Sequence, residues 1–189
     1  MEYMGNEKYW DKKFEIRSDA PLDPEKSLED NITWFKQGSV LDVACGDGRN
    51  TLLLLEKGFE VTGIDFSVKA LERLNRFAER KNYRITTKQV DLAKDNALND
   101  IGVFDNVVVN HYRLNKDQVK CMDKHISDGG ILFVCGFGHK HKVDFKIRKE
   151  DLIQSRDFDV LKEFFDLITY NESEDERGFF VTYIFKKNR

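Results

Sequence analysis

The stretch Val40-Leu41-Asp42-Val43-Ala44-Cys45-Gly46-Asp47-Gly48-Arg49-Asn50-Thr51 constrains this chain more than any other. Its first half is short and apolar and reads as a buried strand. Two glycines break that strand and lead straight into a helical run holding Leu52, Leu53, Leu54 and Leu55. Glycine lacks a Cβ and tolerates positive φ, so a turn built on Gly46 and Gly48 lets backbone N–H groups and a helix N-terminus come close to a ligand. Gly58 suits the position just past that helix. The next apolar run, Phe59 to Ile64, ends on Asp65, nineteen residues after Gly46. An acidic residue at the tip of a second strand, about 20 residues beyond such a turn, can accept hydrogen bonds from ribose hydroxyls. A glycine pair alone fits any strand-to-helix turn. Joined to Asp65 in a strand–helix–strand unit, it points to a nucleoside.

The same alternation continues. Ser67 can cap a helix whose apolar stripe is Ala70, Leu71, Leu74, Phe77 and Ala78. Tyr83 to Val90 alternates as a third strand, residues 93–102 read as a loop or weak helix, and Val103 to Val109 is a fourth strand. Asn115-Lys116-Asp117-Gln118 has the form of a capping box, and Ile131 to Cys135 is a fifth strand after Gly129-Gly130. Strands joined by helical segments imply right-handed crossovers and a mostly parallel sheet covered on both faces. The tail departs from this rhythm. A helix is predicted near Glu150, and Phe165 to Tyr170 and Phe179 to Phe185 read as two strands. The polar connector 171–178 between them favours an antiparallel hairpin at the sheet edge. At the start, Tyr9, Trp10 and Phe14 fit one helix face. Asp23-Pro24 opens a second helix through Leu28, Ile32 and Phe35 that Gly38 stops. The expected organisation is a helical cover over 1–37 and a core over 38–189.

Composition narrows the partners. The 31 Lys and Arg against 34 Asp and Glu leave a net charge of −3, which gives no general attraction to nucleic acid or anionic lipid. The three cysteines, Cys45, Cys121 and Cys135, cannot all pair, which suits a reducing cytoplasm. No apolar run approaches the ~20 residues of a membrane span. The opening Met1-Glu2-Tyr3-Met4 has no basic stretch leading into an apolar one, so no leader is expected.

Two details sort the possible nucleosides. A dinucleotide turn normally carries a third glycine for tight helix–strand packing, and Thr51 stands where it would fall. Asp42, inside the first strand, suits an ammonium group better than a pyrophosphate. The pattern Leu-Asp-Val-Ala-Cys-Gly-Asp-Gly, then Thr-Gly-Ile-Asp-Phe-Ser, resembles the class I S-adenosylmethionine (SAM)-dependent methyltransferases over about residues 38–136. Ala44 stands where that family often has glycine. The resemblance implies an α/β, Rossmann-like, seven-stranded, mostly parallel sheet with helices on both faces and a C-terminal antiparallel hairpin. It implies SAM as cofactor and S-adenosylhomocysteine as product. Asp42 and Gly46 would border the methionine end, Gly48 would admit the backbone, and Asp65 would hold the ribose. Phe66 would lie against adenine, and Asp91 would meet its amino group. Cys45, inside the loop, Asn110, at the fourth-strand tip, and Trp10, from the cover, complete the expected cofactor set. The Tyr9-Trp10 segment and the acidic hairpin loop are similar to the tellurite-resistance and thiopurine-type members, which act on small molecules.

The acceptor is less legible. His111 and Tyr112, just past the fourth strand, are the candidate bases; a backbone-bonded loop histidine and a packing tyrosine are the competing readings. Arg113 and His139 are candidate substrate contacts; Arg113 could bind an anionic acceptor or simply be solvated. His139 and His141 alone are thin support for a metal site, so none is expected. Residues 139–149 carry five Lys or Arg and read as a basic rim at the entrance. The expected partner is a small-molecule methyl acceptor, with no membrane or nucleic acid, on a monomer or homodimer. An RNA or protein methyltransferase, or a SAM-binding domain without catalysis, are the alternatives.

Overall fold

The computed structural model describes residues 7–189. The first six residues of the expected helical cover, and the opening read for a leader, lie outside them. Helices α1 (Glu7–Ile16) and α2 (Lys26–Asn31) precede β1 (Ser39–Val43), α3 (Arg49–Glu56), β2 (Glu60–Asp65), α4 (Val68–Arg80) and β3 (Thr86–Gln89). Then follow β4 (Phe104–Asn110), α5 (Lys116–Lys120), α6 (Met122–His125), β5 (Ile126–Phe137), β6 (Phe165–Asp175) and β7 (Gly178–Lys187). The seven strands form one sheet in the order β3-β2-β1-β4-β5-β7-β6. The first five run parallel, and β7 is antiparallel to both β5 and β6. The fold class is the one expected from the sequence.

Strand periodicity explains why the sheet is covered twice. Val40, Val108, Phe133 and Ile184 turn to one face, where they pack with Leu28 of α2, the leucines of α3 and Leu71, Leu74 and Phe77 of α4. Their neighbours Leu41, Val107, Leu132 and Phe185 turn to the other, against Val119, Met122, Phe158 and Leu161. A strand buried on both faces reads as a continuous apolar run, and β1 and β4 are written that way. Ser67 caps α4 by accepting from the Ala70 N–H, and Asn115 and Gln118 form the reciprocal capping box of α5.

Several boundaries differ from the sequence reading. β3 is only Thr86–Gln89, because the Tyr83 N–H still donates to Ala78 O and closes the end of α4. β6 runs on through 171–175, and the turn is only Glu176-Arg177. The polar run there suggested a loop, but polarity reports exposure, and an edge strand can be both exposed and paired. α2 begins at Lys26 and ends in a 3-10 turn, Ile32–Trp34. The helix expected near Glu150 is two 3-10 stretches, Lys149–Asp151 and Ser155–Glu163.

Because β1, β2, β4 and β5 are parallel, their carboxyl ends share one edge. The order reverses between β1 and β4, the switch point where ligands enter such sheets. β7 starts at this same edge, since Phe180 pairs with Phe137. At the opposite edge, Asp105 pairs with Lys36 and accepts from the Ser39 N–H and the Ser127 hydroxyl. These contacts hold its carboxyl at about 2, and its work is structural.

Candidate active site

The chain turns sharply after β1, with φ of +55° at Ala44, +56° at Gly46 and +90° at Gly48. Gly48 is required twice over: its φ is left-handed, and a Cβ there would run into Leu74 Cδ1. Asp65 ties β2 to this turn. One carboxylate oxygen accepts from the Gly46 N–H at 2.9 Å, and the other accepts from the Ser67 N–H at 2.9 Å. Burial pushes the Asp65 carboxyl upward against the pull of these N–H groups. Asp42 is 1% exposed and accepts from the Thr51 hydroxyl at 2.6 Å. Burial pushes it up to about 7, the Thr51 bond works against that, and the charge of Asp65 adds to it. Neither carboxylate forms an ion pair among the described residues. Cys45 is buried beneath the loop, its sulfur close to Gly63, and burial raises its thiol well above the usual range.

The cover closes over this turn. Phe14 is 4% exposed, and a Cβ at Gly46 would stand 3.3 Å from its ring. Trp10 stacks on Phe14 at 5.6 Å between centroids. Asp11 accepts from the Ser67 hydroxyl at 2.5 Å. Arg17 and Arg73 both pair with the buried Asp47 of the turn, at 2.9 and 3.2 Å, so α1 is latched to the loop by charge as well as by rings. Beside the turn, Phe66 is half-buried, and its carbonyl accepts from the Gln89 side chain. Asp91, just past β3, accepts from the Ala93 N–H. Asn110 closes β4 with its Oδ1 buried and without a hydrogen-bond partner. A buried acceptor left open is uncommon and marks a place where a donor belongs.

Beyond Asn110 the candidate base His111 joins a second cluster whose other members, Glu25 and Arg177, the sequence did not announce. His111 has φ +55° and donates its Nε2 toward Glu25 at 2.8 Å. Glu25 is 4% exposed, at the start of α2, and also pairs with Arg177 at 2.7 Å and Arg49 at 3.2 Å. Arg177 sits in the β6–β7 turn and is shared with Asp175 at 2.6 Å. Burial raises the Glu25 carboxyl, but the hydrogen bonds from His111 and Arg177 and the charge of Arg49 outweigh it and hold it far below its usual value. His111 leans on Phe137 and Phe180, and Phe137 in turn meets His141.

The remaining expected residues lie apart. Tyr112 packs toward the opposite core, with its hydroxyl directed to Gln118. Arg113 is held by Asp157 in a two-pronged pair and by the Glu150 carbonyl. His139 and Lys140 face Glu172, at 3.9 and 2.6 Å. Two surface clefts, of about 540 and 590 Å³, open elsewhere, beside Tyr83 and beside Arg113. Among the described residues no group of three His, Cys, Asp or Glu gathers for a metal, and no helix is long and apolar enough to cross a membrane.

The fold thus sets a glycine turn at the sheet switch point, an acidic residue at the tip of β2 and an antiparallel β7 beside β5. Residues 40–130 match the family described as a methyltransferase domain. The putative methyltransferase YqeM of Bacillus subtilis is 38% identical over 100 residues, covering 50% of this chain and 37% of that protein. The probable SAM-dependent methyltransferase TehB of Haemophilus influenzae is 29% identical over 132 residues, covering 68% of this chain and 44% of that one. The chain therefore spans less than half the length of these curated relatives. The crystal structure of TehB from Haemophilus influenzae superposes with a TM-score of 0.69 at 23% identity, covering 97% of this chain and 67% of that one. Over residues 40–130 the chain matches a methyltransferase domain, and it is loosely similar to the probable SAM-dependent methyltransferase TehB.

Proposed function

We propose that this protein moves a methyl group from SAM to a small-molecule acceptor by in-line transfer. The observation that carries the reading is the set of buried oxygens at the carboxyl edge: Asp42, Asp65 and the unpartnered Asn110 Oδ1. Such a set has acceptors to offer and no cation of its own. SAM fits it, because its amino-acid end brings an ammonium and its ribose brings two hydroxyl donors. Bound there, it would supply an electrophilic methyl group on a sulfonium.

The chain's own residues would then bind and exclude water. Asp42 and Asn110 lie at the end suited to the ammonium, and Asp65, fixed by the Gly46 and Ser67 N–H groups, faces the ribose. Gly46 and Gly48 keep side chains out of the approach. Phe66 lies beside the adenine position with Asp91 at its edge. Phe14 and Trp10 close the top, and Cys45 supports the loop from below. Holding donor and acceptor collinear can supply most of the acceleration, since well-oriented pairs reach effective molarities of ~10⁵ M or more. Support for a small acceptor over a nucleic acid comes from the rim: Lys140 is spent on Glu172, and Arg148 lies 3.8 Å from Glu150.

Calorimetry with S-adenosylhomocysteine tests the reading. Binding is expected for the wild type and lost in Gly46→Val, where φ is left-handed and Phe14 blocks the added side chain. Absence of wild-type binding would refute it.

A further inference from the structure

The Glu25 cluster lies outside the cofactor set, and its chemistry restricts the acceptor. Glu25 has two guanidinium neighbours, so its carboxylate is ionised and can only accept. The 2.8 Å contact to His111 Nε2 must then be an Nε2–H donation, which leaves the ring lone pair of a neutral imidazole on Nδ1. No hydrogen bond to Nδ1 is found among the described residues, and the His111 side chain keeps 26% of its surface open. His111 also holds a left-handed φ of +55°, and such strain persists only where surroundings over-determine it, commonly at functional sites. Its ring is fixed on two further sides by Phe137 and Phe180.

The charges in the cluster are spent internally. Arg177 is shared between Glu25 and Asp175, and Arg49 is turned to Glu25. The two arginines balance the two carboxylates, which leaves no free guanidinium for an oxyanion. The side chains packed around His111 are aromatic: Phe180, the half-buried Phe137, and next to it His141, whose ring lies 4.3 Å from that of Phe137.

Resting on the methyl-transfer reading, we infer that the acceptor is a neutral, proton-bearing nucleophile on an aromatic or apolar body, that His111 Nδ1 receives its proton, and that Glu25 is the positioning residue that fixes the tautomer. The acceptor's nucleophilic atom bonds to the methyl carbon as the carbon–sulfur bond breaks. The electron pair stays on sulfur, which goes from sulfonium to thioether. The proton shed by the acceptor passes to Nδ1 and then to water.

Three measurements test this. ¹⁵N spectra of the wild type report the His111 tautomer, expected as Nε2–H and lost in Glu25→Gln. Labelled SAM is offered with benzyl mercaptan, phenol and aniline, which carry the proton, and with selenite, which needs no base. Transfer to one of the first three is expected, reduced ~100-fold or more in His111→Ala, as removal of a general base predicts. Glu25→Gln should lower kcat about tenfold while S-adenosylhomocysteine affinity stays at the wild-type level. An Nδ1–H tautomer in the wild type overturns the inference even if none of the four probes serves. Methylation of selenite alone, or full activity in His111→Ala, also overturns it. Failure of the wild type to bind S-adenosylhomocysteine overturns the methyl-transfer reading instead, and the tautomer is still read.

Discussion

Asp42 is a carboxyl group that the fold holds against its own ionisation, which makes the stability of the protein fall as pH rises. Its value in the fold is about 7 against the usual 3.8. Between those values the native state binds a proton that the unfolded chain has released, so the sign is fixed: stability declines from about pH 4 to pH 7 and then levels off. Three pH units at 1.36 kcal/mol each give roughly 4 kcal/mol as the full penalty. Asp42→Asn keeps the shape and an oxygen for the Thr51 hydroxyl but cannot ionise. Urea unfolding at pH 5 and pH 8 measures the effect. Most of the penalty accrues above pH 5, so the gap in stability between variant and wild type should move about 3 kcal/mol in the variant's favour at pH 8. The same variant should bind S-adenosylhomocysteine less tightly, because the charge opposite the ammonium is gone. A gap that is equal at the two pH values would refute the reasoning, since it would mean that Asp42 titrates alike in both states. Comparing variant with wild type is essential, because Glu25 and Asp105 are held low and shift stability with the opposite sign at more acid pH.

Other outcomes follow from the same geometry. Gly48→Ala must take a left-handed φ and meet Leu74, costing roughly 2–4 kcal/mol, whereas Gly129→Ala, with φ +72° and open space around it, should cost about 1 kcal/mol; thermal melts should place the first well below the second. Asp65→Ala removes a charged acceptor for two ribose hydroxyls, worth ~3 kcal/mol or about 100-fold in S-adenosylhomocysteine affinity by calorimetry. Glu25→Gln leaves Arg49, Arg177 and His111 facing a neutral amide and should cost roughly 2–4 kcal/mol in urea unfolding at pH 7. Because the Glu25 carboxyl is lowered in the fold, that cost is present above its usual 4.5 and should shrink as pH falls below it. Arg113→Ala should loosen the Ser155–Glu163 stretch through Asp157 yet leave S-adenosylhomocysteine affinity unchanged.

Local chemistry made one half of the site readable in sequence. Gly46, Gly48 and Asp65 lie within twenty residues, and a strand, a glycine turn and a second strand can bring them together in only one way, because parallel crossovers are short and right-handed. Strands buried on both faces, such as β1 and β4, were located because they must be written in apolar residues. The same reading misjudged β6, where exposure hid the pairing, and the region after Glu150, where the turns are too tight for an α-helix pattern. The other half of the site was closed to sequence reading. Glu25 is 86 residues from His111 and 152 from Arg177. His111 stood out only by its place just past the fourth strand, while an isolated Glu or Arg reads as a solvated side chain and nothing local distinguishes Glu25 or Arg177. Only the sheet order, which sets β4, β5 and β7 side by side and lays α2 across their ends, makes a buried carboxylate of Glu25. The sequence alone brought Gly46, Gly48 and Asp65 to one turn at the tips of two strands. Tertiary structure decided what stands opposite it, because a charge acquires a directed partner only when distant segments remove it from water.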